Sequence, residues 1–297
     1  MDTETYDKLA EAARATDNVL LTRRALELGL TDWDYRRLVR QAREAHLPKG
    51  CLLLPPADRT LQVRARAAQL LVPDGVLCGR TAARMHGLQG LDECDDEPLE
   101  VNLPGRTRWQ RSGLKLHFRG LAEDDVTEVD GLRVTTPLRT LLDLEAELPV
   151  TTFVCLADNA VNKSLVSDEE VAALIRDRPQ ESADRWRRVD GLSESPSETL
   201  VRLVLVDDGL VPDALQLQVR DETGRIIARL DMAWKRRRPV GLEVDSSEHD
   251  RPTALYRDRY RQNDLEDLGW TMRRFTSWDA RNRPAYIRQV MRRALAA

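Results

Sequence analysis

The sequence has few lysine, histidine, cysteine and aromatic residues. Of its 46 basic side chains only five are lysine and the rest are arginine; there are four histidines, and aromatic residues make up 5% of the 297 positions. Tetrahedral zinc sites need closely spaced cysteines and histidines, and no cysteine pair here has the CxxC spacing. We therefore expect reduced cysteines and no zinc site from the four present, Cys51, Cys78, Cys94 and Cys155.

Long apolar runs are also missing. No stretch approaches the roughly 18 apolar residues typical of a membrane-spanning helix, and residues 1–5 have neither the basic nor the apolar part of a signal peptide. We therefore expect a cytoplasmic protein with no membrane partner. Hydrophobic residues at 41% and charged residues at 32% exclude collagen and disordered classes, and the length predicts two or three domains.

The net charge of −4 argues against a general polyanion binder, although a global sum conceals local charge. Arginine is the side chain whose planar guanidinium suits bidentate contacts with phosphate and guanine. A GC-rich genome produces the same excess of arginine over lysine and is the stronger explanation. The arginine content therefore does not by itself assign nucleic-acid binding.

Residues 1–56 have the pattern of a helix-turn-helix. A helix over 20–29 ends at Gly29, and Thr31 and Asp34 form a capping box that opens a second helix over 32–45. Residues 51–54 then supply the wing of a winged-helix DNA-binding domain. A helical hairpin with a solvated basic face fits the spacing equally well. The DNA-binding interpretation assigns contacts to three arginines of the second helix, Arg36, Arg37 and Arg40.

Residues 57–183 predict an α+β middle domain, with short strands at 98–104 and 114–118, a hairpin at 129–134 and a helix opened by Pro137. Nothing in it indicates a reaction. The polar stretch 184–194 predicts a linker.

The last hundred residues have the clearest signals. Ser195 and Glu198 form a capping box with proline at the first helical position, and the following pattern reads as three strands, a helix, a strand and a helix. We therefore expect an αβββαβ core over 195–297, which makes the whole chain a multi-domain α/β protein.

Acidic residues on two neighbouring predicted strands are placed where their side chains can meet on one face of the sheet. Glu243 and Asp245 are two apart, so they share a face, and Asp231 lies on the preceding strand. Like charges this close favour a bound cation, and hard oxygen ligands suit Mg²⁺ or Mn²⁺, which can promote attack on a phosphodiester. Glu198 is either a fourth carboxylate of this patch or only the partner of the helix cap.

Residues 195–296 resemble the very-short-patch-repair-type endonuclease domain, a branch of the PD-(D/E)xK nuclease superfamily. The resemblance implies DNA as substrate, Asp231 and Glu243 as metal ligands, assistance from Glu198, and His249 near the scissile phosphate. The motifs that carry it are 195–198, 229–231, 242–245 with His249, Arg257 and Asp258 with Arg261 and Asn263, and 268–270 before Arg274 and Phe275.

The upstream regions resemble the winged-helix and middle domains of AbiEi-like antitoxins, which implies DNA binding; a toxin or repair partner is unidentified. The residues that carry this resemblance lie at 21–29, 79–88 and 136–143.

Two departures from the nuclease pattern leave the function open. Asp245 stands where the superfamily usually has lysine, and no glycine follows it. His249 is a candidate general base because imidazole titrates near neutral pH. The leading hypothesis is a metal-dependent DNA endonuclease or nickase, with Asp231, Glu243, Asp245, Glu198 and His249 at its site. The alternative is a non-catalytic, antitoxin-like DNA-binding regulator with a degenerate nuclease domain.

Overall fold

A computed structural model describes residues 1–44, 46–58, 60–92, 97–103, 110–245 and 252–296. The chain is α/β and divides into two compact units, Met1–Leu148 and Pro149–Ala297. Among the helices of these ranges, none combines the length and the apolar composition needed to cross a bilayer.

The first unit begins with the element order of a winged helix. Its elements are α1 (Thr3–Ala13), β1 (Val19–Leu21), α2 (Thr22–Glu27), α3 (Asp32–Glu44) and β2 (Cys51–Leu53). The two strands pair antiparallel, and the helices close over a core that contains Leu9, Leu38 and Leu52. The predicted cap of α3 is present, since the Asp34 N–H donates to Thr31 Oγ1 at 3.3 Å.

A mixed sheet completes this unit. The elements are α4 (Leu61–Leu71), β3 (Val76–Leu77), α5 (Gly79–Met85), β4 (Leu99–Asn102), β5 (Leu114–His117), β6 (Val126–Val129), β7 (Leu132–Thr135) and α6 (Pro137–Leu144). The five strands lie in the order β5-β4-β3-β7-β6. Helix α4 packs its alanine-rich face on both sheets, because Ala67 contacts the β1–β2 cluster while Ala65 and Ala68 contact the larger core.

The second unit contains three helices and then the αβββαβ core. The elements are α7 (Val150–Asn162), α8 (Asp168–Asp177), α9 (Gln180–Trp186), α10 (Pro196–Val206), β8 (Ala214–Arg220), β9 (Ile226–Trp234), β10 (Val240–Asp245), α11 (Pro252–Asp267), β11 (Thr271–Thr276), α12 (Ser277–Asn282) and α13 (Pro284–Ala296). The strand order is β11-β10-β9-β8. Strands β8, β9 and β10 pair antiparallel, whereas β11 pairs parallel to β10 because the crossover helix α11 connects them.

The division between the units differs from the one expected from the sequence. The predicted middle domain ran to residue 183, but α7 and α8 belong to the second unit. The predicted linker at 184–194 begins inside α9, where Trp186 is completely buried and its ring packs edge-on against Phe153 at 5.1 Å. A single large aromatic residue anchors a stretch that otherwise looks like a solvated connection.

A buried ion pair ties α7 to α10. Arg202 Nη2 donates to Asp158 Oδ2 at 2.6 Å, and Thr199 donates to the same oxygen at 2.7 Å. The backbone N–H of Asp190 donates to Asp158 Oδ1 at 2.8 Å, and Arg202 Nε donates to Ser193. Because both charges are buried, the network that satisfies them fixes the position of the segment before α10.

We expect Arg202→Leu to lower the free energy of unfolding by about 3 kcal/mol, because it leaves the Asp158 carboxylate buried without its partner. The matched control is Arg188→Leu, which removes an exposed pair with Asp207 and should cost less than about 1 kcal/mol. Urea denaturation of the full chain measures both. Equal losses in the two variants would contradict the structural role of the buried pair.

Candidate functional site

A row of polar side chains crosses the sheet of the second unit, with one residue on each strand. Glu243 on β10 lies directly opposite Arg274 on β11. On the other side of β10, the pairing of Leu242 with Met232 makes Asp231 the next residue beside Glu243. Gln216 lies between the two residues of β8 that pair with the neighbours of Asp231. We call Gln216, Asp231, Glu243 and Arg274 the polar row.

The strands β9 and β10 separate at this row. Their register ends at the pair Leu242 and Met232. Two residues beyond Leu242, the backbone N–H of Val244 donates to the side chain of Asp231, at Oδ2, over 2.7 Å. A carboxylate has therefore taken the place of a main-chain acceptor, which fixes its position in the gap between the strands.

Glu198 reaches the row from the first turn of α10. The Ser195 side chain caps this helix by accepting from the Glu198 N–H at 3.2 Å, and Ser195 Oγ donates to Glu198 Oε1 at 2.8 Å; the predicted capping box is therefore only half formed, because Glu198 does not accept from the Ser195 N–H. Its other oxygen, Oε2, accepts from the backbone N–H of Glu194 at 2.9 Å and from Gln216 Nε2 at 2.8 Å. Glu198 is therefore both the partner of the helix cap and a neighbour of the polar row, and the two interpretations of the sequence are compatible.

Glu243 is held by two arginines through one oxygen only. Its Oε2 accepts from Arg261 Nη2 at 2.8 Å and from Arg274 Nε at 3.2 Å. The residue is 7% exposed, and its Oε1 atom is buried with no hydrogen-bond partner among the described residues. A bare carboxylate oxygen in such a place is costly unless a cation or a water satisfies it.

Burial and mutual repulsion raise the pKa values of the carboxylates. Burial raises the pKa of Asp231 to about 6, the Val244 N–H opposes this, and the charge of Glu198 adds to it. Burial also raises the pKa of Glu243; Arg261 and Arg274 lower it, whereas the charges of Asp231 and Asp245 raise it. The pKa of Glu198 is raised chiefly by burial. The raised pKa values mean that these carboxylates bind a proton, or another cation, more readily than exposed carboxylates do.

The residues that would hold a divalent cation here are Asp231 and Glu243. Mg²⁺ is commonly bound by one or two carboxylates, with water and substrate phosphate oxygens completing its shell. Asp231 and Glu243 lie next to each other on neighbouring strands, the charge of Asp231 raises the pKa of Glu243, and Glu243 Oε1 has no hydrogen-bond partner among the described residues. Within the ranges the structure describes, no group of three or more His, Cys, Asp or Glu side chains is placed to hold a metal.

The remaining candidates for the catalytic site are Asp245, the last residue of β10, and His249. Asp245 is exposed, and its charge contributes to the raised pKa of Glu243. His249 lies outside the described residues, so its assignment stays a prediction. No sequence pattern assigned a role to Gln216, Arg261 or Arg274. For the two arginines the motif was visible, but only the parallel pairing of β11 with β10 and the position of α11 bring them to Glu243.

The three candidate DNA-contacting arginines of α3 are not equivalent. Arg36 and Arg40 are exposed, and neither makes an ion pair within the described part of the chain. Arg37 is half-buried, pairs with Asp34 at 3.6 Å, and lies over the Trp33 ring at 5.5 Å from its centroid. Trp33 itself is 68% exposed. Among the side chains of α3 that the structure describes, Asp32, Trp33, Arg36 and Arg40 are exposed.

Comparisons with known proteins do not name an activity. No family model matches the chain. Two uncharacterized proteins of Mycobacterium tuberculosis, MT2308 of strain CDC 1551 / Oshkosh and Rv2248 of strain ATCC 25618 / H37Rv, are each 28% identical over 218 residues, covering 71% of this chain and 78% of theirs. Among solved structures, the RV2827C protein from Mycobacterium tuberculosis is similar at 19% identity and a TM-score of 0.38, over 61% of this chain and 74% of that one.

We expect Asp231→Asn to stabilise the metal-free protein at pH 7.5 by about 1–2 kcal/mol. The pKa of Asp231 in the folded state is about 6, above the ordinary value of 3.8. The folded protein therefore binds more protons than the unfolded chain in this window, and wild-type stability falls as the pH rises through it. Asparagine keeps an acceptor for the Val244 N–H and removes the charge, so the gain should vanish below about pH 4.

The measurement is urea unfolding in EDTA at several pH values between 4 and 7.5, with Glu222→Gln as a control because Glu222 is exposed in the β8–β9 turn. If the wild type is more stable than Asp231→Asn at pH 7.5, the burial of this carboxylate is fully compensated and the prediction is wrong.

Proposed function

We propose that the second unit is a metal-dependent phosphodiesterase acting on DNA, as an endonuclease or nickase, in the cytoplasm. The observation that supports this most is the pair of adjacent carboxylates, Asp231, which is half-buried, and Glu243, which is buried and whose Oε1 has no hydrogen-bond partner among the described residues. Like charges that are removed from water lower the stability of the folded protein, and groups with such raised pKa values cluster at functional sites.

In this proposal Asp231 and Glu243 hold Mg²⁺ or Mn²⁺. When bound, the metal would lower the pKa of a water and stabilise the charge that develops on the phosphate. Asp231 is oriented by the Val244 N–H, and Glu243 is oriented by Arg261 and Arg274, which both contact Oε2, so Oε1 would be the oxygen available to a cation. The same two guanidiniums supply the positive charge that is absent at Asp245, the position where the nuclease superfamily usually has lysine.

The other predicted residues have supporting roles. Glu198 contributes negative charge beside Asp231 and orients Gln216. Asp245 contributes a further charge beside Glu243. His249 stays the candidate general base on the grounds of its chemistry alone. In the first unit, Arg36 and Arg40 are proposed to contact the DNA backbone.

We expect wild-type protein to bind Mn²⁺ in isothermal titration and to nick or linearise supercoiled plasmid in its presence, and Asp231→Asn to lose both. The loss of cleavage should be at least about 10²-fold, because one of two charged ligands is removed. Glu222→Gln, which alters an exposed acid on the same unit, should match wild type. An Asp231→Asn protein that cleaves at the wild-type rate would contradict the assignment of Asp231 as a metal ligand.

A second function has its own supporting observation. Arg261 and Arg274 place two positive charges against Glu243, so the charge of this carboxylate is compensated without a metal. This favours a non-catalytic, antitoxin-like regulator that binds DNA through α3. A regulator needs no divalent cation, so binding that is unchanged by EDTA together with absent cleavage supports it over the enzyme.

We expect Arg36→Ala/Arg40→Ala to weaken duplex binding by about tenfold or more at 100 mM salt. Each phosphate contact contributes about 0.9 to the slope of log K against log salt, so the slope should fall by about 2. Fluorescence anisotropy with a labelled duplex measures both quantities. Arg14→Ala/Arg133→Ala removes two exposed arginines elsewhere in the same unit and is the charge-matched control. Identical slopes in the two double variants would exclude α3 from the interface.

A further inference from the structure

The turn between β9 and β10 carries four consecutive basic residues. Lys235, Arg236, Arg237 and Arg238 are all exposed. Within the described residues, the guanidinium groups of the three arginines make no hydrogen bond and no ion pair. The turn therefore presents a local charge of about +4 to solvent on a chain whose net charge is −4.

Several arginines of this unit are neutralised by a carboxylate. Arg188, Arg202, Arg225, Arg229, Arg261, Arg274 and Arg292 each form an ion pair with an aspartate or glutamate. Other exposed arginines among the described residues, such as Arg281 and Arg293, make no ion pair either. The turn differs from these because its basic residues are four in a row, so their charges add at one place.

The backbone of the turn is anchored at both ends. At the start, the N–H of Lys235 donates to Asp213 Oδ2 at 2.7 Å. At the end, the carbonyl of Pro239 accepts from the N–H of Thr271 at 2.9 Å, and Val240 at once enters the sheet paired with Trp234. The four side chains therefore project from a fixed point of the sheet.

The turn lies close to the polar row along the same strand. Lys235 is four residues beyond Asp231, which is roughly 13 Å at the strand rise of about 3.3 Å per residue. Duplex DNA carries about one negative charge per 1.7 Å of axis, so over that distance it presents about eight phosphates. One duplex can therefore reach the turn and the row together.

We infer that this turn is a contact surface for the phosphate backbone of duplex DNA, which holds the substrate beside Asp231 and Glu243. The inference rests on the proposed function, because it takes DNA as the partner. Arginine suits the task, since its guanidinium is weakly hydrated and forms paired hydrogen bonds with phosphate oxygens. Such contacts position the duplex without reading its sequence.

The test uses the full chain and a labelled 20-base-pair duplex, with fluorescence anisotropy between 50 and 200 mM salt. Arg236→Gln/Arg237→Gln/Arg238→Gln should lower the salt slope by about 2–3 and weaken binding at least about tenfold at 100 mM salt. The control, Arg220→Gln/Arg281→Gln/Arg293→Gln, removes three exposed arginines of the same unit and should keep the wild-type slope. Thermal melts establish that both triple variants are folded.

The outcomes separate the two proposals. If wild type binds the duplex and the turn variant matches the control, the turn inference is overturned and the proposed function stands. If wild type does not bind duplex even at 50 mM salt, both are overturned. If wild type instead binds vesicles rich in phosphatidylserine, and the turn variant loses that binding, the surface recognises lipid and the inference is wrong.

Discussion

The hydrogen bond from the Val244 N–H to the Asp231 carboxylate holds a half-buried charge between β9 and β10 of the second unit. It replaces a bond that two backbones would otherwise make, so β9 and β10 diverge where it forms. Asp231 and Glu243 then lie side by side at the opening, where burial raises the pKa of both. Three other elements bring polar side chains to these carboxylates: Arg274 comes from the parallel strand β11, Arg261 from the crossover helix α11, and Gln216 from the edge strand β8.

The charge balance of the row connects the two proposed functions. With Glu198, Asp231, Glu243 and Asp245 ionised and Arg261 and Arg274 beside them, the site keeps a net charge of about −2. One divalent cation offsets that charge, which removes the repulsion of an incoming phosphate. Affinity for a bare cation should therefore be modest and should rise when phosphate oxygens complete the coordination shell. A site of this kind is compatible with an enzyme that assembles its metal centre on the substrate, and with a regulator that never does.

Local sequence signals predicted the elements of the αβββαβ core but not helix α7, and long-range pairing determined which side chains meet at the site. The cap at Ser195, the proline at position 196 and the alternation along β8–β10 depend on neighbours within a few residues, so they could be read directly. The contact of Arg274 with Glu243 depends on the parallel register of β11 after a 16-residue helix. The buried pair of Asp158 and Arg202 spans 44 positions, and no local pattern distinguishes it from two solvated charges. For the same reason the polar stretch around Trp186 predicted a linker where the chain is packed.

The arginine content is informative about function only when arginines in ion pairs are distinguished from arginines without one. An excess of arginine that reflects genome composition should be spread among surface ion pairs, and many arginines of this chain are used in that way. Such pairs contribute little to stability and none of them points to a partner. Arg36 and Arg40 on α3 and the three arginines of the β9–β10 turn make no ion pair within the described residues, and the same is true of Arg281 and Arg293. What distinguishes α3 and the turn is that two or more unpaired arginines lie next to one another on each, and the proposed binding of a polyanion depends on that local concentration of charge.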